Sequence, residues 1–236
     1  MTAHRSPFTA HGFFVTGTDT GVGKTLAACA LLHAFATRGL RTAGMKPIAA
    51  GTTGGAAGRR NDDIARLAAA SNTAVTRARV NVYCFEPAIA PHIAARAVNA
   101  RIELAPIKRA YDALARQADI VVVEGVGGFC VPLNDREDTA DLAALLRLRM
   151  VLVVGLRLGC LNHALLTAAA IEARGLRFAA WIANCIDPDM AHVDDNVAAL
   201  EQRLAAPCIA RIPFQRAPRA RRIAALLRTD CLIGMA

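Results

Sequence analysis

Residues 13–25, FFVTGTDTGVGKT, constrain this chain more than any other stretch: an apolar run of strand character leads into a glycine-bounded loop that delivers Gly23, Lys24 and Thr25. An apolar helical run, LAACALLHAFATRGL, follows and stops at Gly39, so strand, loop and helix come in the order a phosphate cradle requires. Glycines let the backbone curl until successive N–H groups face phosphate oxygens, and the helix behind them adds its positive end. Gly21, Val22, Gly23, Lys24, Thr25 and Leu26 are therefore the expected nucleotide contacts, with Lys24 as mobile charge and Thr25 as a ligand for Mg²⁺. The spacing is irregular, because five residues rather than four separate Gly17 from Gly23 and Thr18 stands where the first glycine usually does. The alternative is a glycine turn that binds nothing, but Gly-Lys-Thr at a strand-to-helix turn has few purely structural uses.

Beyond the loop, strand and helix patterns alternate. Apolar β-rich runs fall at 12–16, 41–46, 79–85, 119–123, 150–154, 178–184 and 207–212, with helical periodicity at 24–38, 61–70, 103–117, 138–148, 162–174, 190–204 and 218–228. This predicts an α/β fold: a doubly wound, mainly parallel sheet in three layers, like the P-loop NTPases, in one domain over 1–236. No apolar run approaches the length of a membrane span, and the segment before the first strand is too short and polar for a secretory signal. The seven cysteines stand singly with no C-x-x-C pair, which fits reduced thiols in the cytoplasm and argues against zinc. A net charge of +9 raises the question of nucleic acid, but the arginines are scattered and aromatics are only 5% of residues. The charge reads as compositional bias around an anion-binding cleft, with neither nucleic acid nor membrane as a partner.

All but three of the 28 basic residues are arginine, so each lysine suggests work that a compact ammonium does better. Lys24 has its phosphate. Lys46 closes the second strand run just before Pro47, where parallel sheets gather ligands, whereas Lys108 reads as a solvated surface residue. Two carboxylates are further candidates. Glu124 ends the buried run DIVVVE and opens into glycines, which suits a holder of Mg²⁺ or a cap on the next turn. Asp63 begins a helix in RRNDDIARL, where Asn61 or Asp62 is the N-cap and Asp63 either favours the dipole or reaches the metal. Residues 51–60, GTTGGAAGRR, read as a loop beside the active face.

GTDTGVGKT, TAGMKP, PHIAA, VEGVGGFCVPL, VVGLRLGCLNHALLT and WIAN together resemble, in order and spacing, the dethiobiotin synthetase family, over nearly the whole chain. The resemblance implies an ATP-dependent ligase that carboxylates 7,8-diaminononanoate with CO₂ and closes a cyclic urea through a carbamate and a carbamic-phosphoric anhydride. It assigns Lys46 and Lys24 to catalysis, Thr25, Asp63 and Glu124 to Mg²⁺, and Gly125, Val126 and Gly127 with Glu124 to ATP. It puts Asn184 and Cys185 at the adenine, with Pro213, Phe214 and Gln215 completing that pocket. Thr20, Lys46, Ala50 and the turn Gly159, Cys160, Leu161 and Asn162 would contact the diamine, the turn acting across the interface of a homodimer. From the residues alone, Asn162 would be an N-cap, Asn184 a strand-end turn residue and Pro213 a strand terminator; His163 reads as a packed or capping residue.

Three positions depart from the family pattern: Gly21 replaces an acid, Ala50 replaces a serine that Thr52 or Thr53 would have to replace, and Asn196 stands where some relatives carry an aromatic residue. The rival reading is a switch ATPase of the chromosome-partitioning or division-site type, acting on DNA or membrane. Its support is the basic C-terminal stretch APRARRIAALLRTDCLIGMA, which reads more simply as a docked helix with an arginine-rich outer face. That class usually carries an extra lysine early in the phosphate loop, and residues 16–20 have none.

Overall fold

The computed structural model describes residues 11–52 and 60–233. A six-stranded sheet runs, in spatial order, through β2 (Thr42–Met45), β5 (Ile120–Glu124), β1 (His11–Gly17), β6 (Arg149–Leu156), β7 (Phe178–Cys185) and β8 (Cys208–Ile212). Every pairing in it is parallel. Strands covered on both faces need no polar alternation, and β5 is buried at every position.

Alternation along β1 divides the core. Phe13 and Val15 face the helix α1 (Lys24–Ala36), with α2 (Asp62–Ala70), α9 (Ala220–Ala224) and α10 (Asp230–Ile233). Phe14 faces the other layer, built from α4 (Pro91–Ala97), α5 (Leu104–Ala115) and α6 (Thr139–Leu146). A third cluster lies under α7 (Cys160–Ala173) and α8 (Val193–Glu201) and encloses Trp181. The helix α1 is apolar around most of its circumference because sheet, α2 and α9 cover it.

The sequence expectations fail at identifiable places. Residues 79–85 do not add a strand to the main sheet: the helix α3 (Arg77–Val80) precedes β4 (Tyr83–Phe85), which pairs instead with β3 (Ile48–Ala50) in a separate two-stranded sheet. Regular structure is interrupted only at Lys46 and Pro47, and the Pro47 carbonyl accepts bonds from the Val82 and Tyr83 N–H groups. The helix expected from 162 starts at Cys160, with Gly159 as its N-cap at φ 92°, so Asn162 is not the cap. The C-terminal helix shrinks to α9, where Ile223 is buried against the core while Arg221 and Arg222 face outward. Most of the glycine-rich loop, 53–59 with Thr53, lies outside the described residues. Among the described residues no helix is long and apolar enough to cross a membrane.

Candidate active site

The carboxyl ends of β1, β5, β7 and β8 open into a cleft of about 560 Å³. It lies where β1 is flanked by β5 on one side and β6 on the other, the switch point at which open α/β sheets bind ligands. The phosphate loop forms its floor. Gly21 and Gly23 have φ of 77° and 94°, and a Cβ at Gly23 would overlap the Asn184 amide nitrogen. That amide donates to the Val22 carbonyl at 2.8 Å and so ties the loop to the end of β7. Lys24 Nζ donates to the Asp19 carbonyl at 2.8 Å. Burial, and then the nearby Lys46 charge, pull its ammonium down to about 8.

The charged centre lies beside this loop. The Lys46 ammonium, 4% exposed, is 2.6 Å from Glu124 Oε1 and 3.1 Å from Asp63 Oδ2, and donates to the Gly125 carbonyl at 3.1 Å. Burial works against its charge, but the Glu124 and Asp63 carboxylates outweigh burial and raise it above the ordinary lysine value. Burial pushes Glu124 up, with Lys46 pulling the other way and Asp63 adding to the rise. Asp63 is held below the usual carboxylate range, because the Lys46 charge and the Thr25 hydroxyl overcome its burial.

Thr25 Oγ1 stands 2.8 Å from Asp63 Oδ1 and 2.8 Å from Glu124 Oε1. A hydroxyl has one proton and cannot donate to both, so one of these two contacts brings oxygen against oxygen with no proton between them, although Glu124 Oε1 also accepts from Lys46. The other Glu124 oxygen, Oε2, is buried with no partner among the described residues. Hard oxygen donors with surplus acceptor capacity fit Mg²⁺, which takes one or two carboxylates and keeps several waters. No cluster of three His, Cys, Asp or Glu groups suited to a metal occurs among the described residues, and this donor set does not require one. Of the two N-cap candidates it is Asn61 that caps α2, accepting from the Asp63 and Ile64 N–H groups, while both carboxylates point at Lys46 and Thr25.

The remaining expected residues divide between the cleft and elsewhere. Thr20, Leu26, Ala50, Val126 and Gly127 line it, as do Asn184, Cys185, Pro213, Phe214 and Gln215 at the far end. Asn184 has only part of its amide left for a ligand, since one N–H is engaged by Val22. Val22 is buried beneath the loop. The turn of Gly159, Cys160, Leu161 and Asn162 does not line the cleft. Cys160 is buried, with Sγ 3.9 Å from Asn196 Oδ1, whereas Asn162 and His163 are exposed, so His163 neither packs nor caps. Thr52 Oγ1 is enclosed without a partner among the described residues and is not on the cleft wall. Arg66, Ile186, Ile212 and Pro218 line the cleft without having been expected there. Only Arg66 had a sequence signal, one helical turn after Asp63.

A parallel sheet with a glycine loop between β1 and α1, and a buried acid ending the adjacent strand, defines a P-loop nucleotide-binding fold. The same fold occurs in a ParA family ATPase from Chlorobium tepidum, TM-score 0.52 at 14% identity, covering 87% of this chain and 85% of that one. It also occurs in the septum site-determining protein MinD from Pyrococcus horikoshii, TM-score 0.51 at 15% identity, covering 86% and 81%. Residues 11–220 match the family described as "AAA domain". The chain is 53% identical over 216 residues to the ATP-dependent dethiobiotin synthetase of Nitrosospira multiformis, covering 92% of this chain and 94% of the relative. It is 55% identical over 208 residues to that of Ralstonia nicotianae, covering 88% and 91%. The chain belongs to the dethiobiotin synthetase family.

Proposed function

We propose that the protein is an ATP-dependent cyclo-ligase that forms dethiobiotin from 7,8-diaminononanoate, CO₂ and ATP, releasing ADP and phosphate. One amine of the diamine adds CO₂ as a carbamate, and a carbamate oxygen attacks the γ-phosphorus of ATP as ADP leaves. The second amine then attacks the carbonyl of the anhydride, phosphate departs, and the urea ring closes. Two anions must meet in the phosphoryl transfer, so the protein's task is to position them and to neutralise charge. Lys46 faces the carbamate and the transferring phosphate, while Lys24 and the N–H groups of the loop hold the polyphosphate. Thr25, Asp63 and Glu124 would hold Mg²⁺, which when bound neutralises charge on the phosphate oxygens. The observation that carries this reading is the buried Lys46 ammonium, 2.6 Å from Glu124 in the wall of the phosphate-loop cleft.

The reading extends to a homodimer acting in the cytoplasm as a single catalytic domain. The turn at 159–162 would then receive the carboxylate tail of a diamine bound in the partner's cleft. Leu158 and Leu166, 96% and 63% exposed, flank that turn and support a covered face. The partitioning and division ATPases share only the fold with this chain, and relatives at half its residues identical carry the synthetase name.

Purified protein given diaminononanoate, bicarbonate and ATP is expected to yield the cyclic urea, with ADP appearing only when the diamine is present. Equal ATP turnover without the diamine would sink the synthetase reading.

A further inference from the structure

Arg66 is a cleft-lining cation to which neither the phosphate loop nor the carboxylate centre gives a task. It lies on α2, three residues after Asp63, on the flank of a helix whose Ile64, Leu67 and Ala70 face the core. The other two cations of the cleft are engaged: Lys24 donates to the Asp19 carbonyl, and Lys46 is held by Glu124, Asp63 and the Gly125 carbonyl. Arg66 is exposed and makes no hydrogen bond or ion pair within the described residues; its charge is felt by Asp63 and by Cys29, one turn along α1 from Thr25. The charges of Lys24, Lys46, Asp63 and Glu124 cancel, so Arg66 alone gives the cleft wall a positive balance before any ligand enters. A triphosphate carries several negative charges, and a planar guanidinium binds phosphate through paired N–H donors.

We propose that the Arg66 guanidinium holds the polyphosphate of the bound nucleotide as a third cation of the cleft, reaching it from the α2 side. This rests on the reading of the cleft as an ATP site. Being on a helix and free of competing bonds, the side chain gives up no internal partner when it turns to a ligand.

Titration calorimetry on the full chain with MgATP, MgADP and adenosine tests it. Arg66→Ala is expected to weaken MgATP and MgADP about ten-fold, as loss of a charge-assisted contact should, and to leave adenosine unchanged. Arg66→Lys should recover part of the loss, and the salt dependence of MgATP binding should be shallower in Arg66→Ala than in the wild type. MgATP affinity within about two-fold of wild type in Arg66→Ala, or an equal loss for adenosine, overturns the assignment. Wild-type protein that binds MgATP but closes no ring removes the synthetase function and leaves this assignment standing on the binding data. Wild-type protein that binds no ATP overturns both.

Discussion

Lys46 shows why a single side chain here cannot be read by its charge alone. Its ammonium serves two carboxylates and a carbonyl, and Glu124, only 1% exposed, relies on it. Removing one partner of such a pair strands the other in a medium that cannot solvate it, at a cost of about 3–5 kcal/mol. Lys46→Ala is therefore expected to lose turnover and also stability, and the two losses separate on adding a divalent cation. If Thr25, Asp63 and Glu124 share a cation, Mg²⁺ will raise the melting temperature of Lys46→Ala more than that of wild type, because the freed carboxylates regain a positive partner. Turnover should stay lost while MgATP still binds. A Mg²⁺ shift no larger than in wild type would mean that these oxygens do not share a cation.

The position of Lys46 depends in turn on an element the sequence hides. Asn81, 8% exposed, donates through Nδ2 to the Lys46 carbonyl at 2.8 Å and to the Tyr83 carbonyl at 2.9 Å. It thereby clamps the end of β2 to the small β3–β4 sheet. In Asn81→Ala both carbonyls lose a donor, which costs about 1–3 kcal/mol, and the Lys46 backbone keeps only the bond from its N–H to the Val80 carbonyl. The expected result is a fall in kcat with MgATP affinity nearly unchanged. A lower melting point with unaltered kcat would make Asn81 purely structural. The clamp also explains what was legible. The loop after β1 and the acid ending β5 announce themselves because local rules, glycine conformation and apolar runs, fix them. The run at 79–85 has strand composition, but its fate depends on Asn81 reaching residues 35 positions away along the chain, which no local pattern encodes. Arg66 was obscure for a similar reason: as one of many arginines it gains meaning only when α2 sets it on the cleft wall.

At the scale of the whole molecule, α7 and the turn before it carry exposed apolar side chains. Leu158 just before the helix and Leu166 within it are large, apolar and exposed, and Leu166 lies four residues after Asn162, on the same face. Arg157, at the root of this turn, holds Asp19 of the phosphate loop at 2.6 Å, so a partner docking on α7 would meet a turn already braced against that loop. The 159–162 turn is absent from the cleft wall, so if it meets the diamine tail in the proposed dimer, an isolated protomer would lack that contact while keeping its nucleotide contacts. The double variant Leu158→Asp, Leu166→Asp removes little internal packing, since both side chains face solvent, and it would place like charges across the proposed two-fold face. Sedimentation should find a monomer that melts as a folded protein and binds MgATP, yet needs far more diamine to reach half-maximal turnover. If the variant stays dimeric, the face lies elsewhere. If it becomes a monomer with an unchanged KM for the diamine, the turn contributes nothing across the interface, and each protomer is a complete active site.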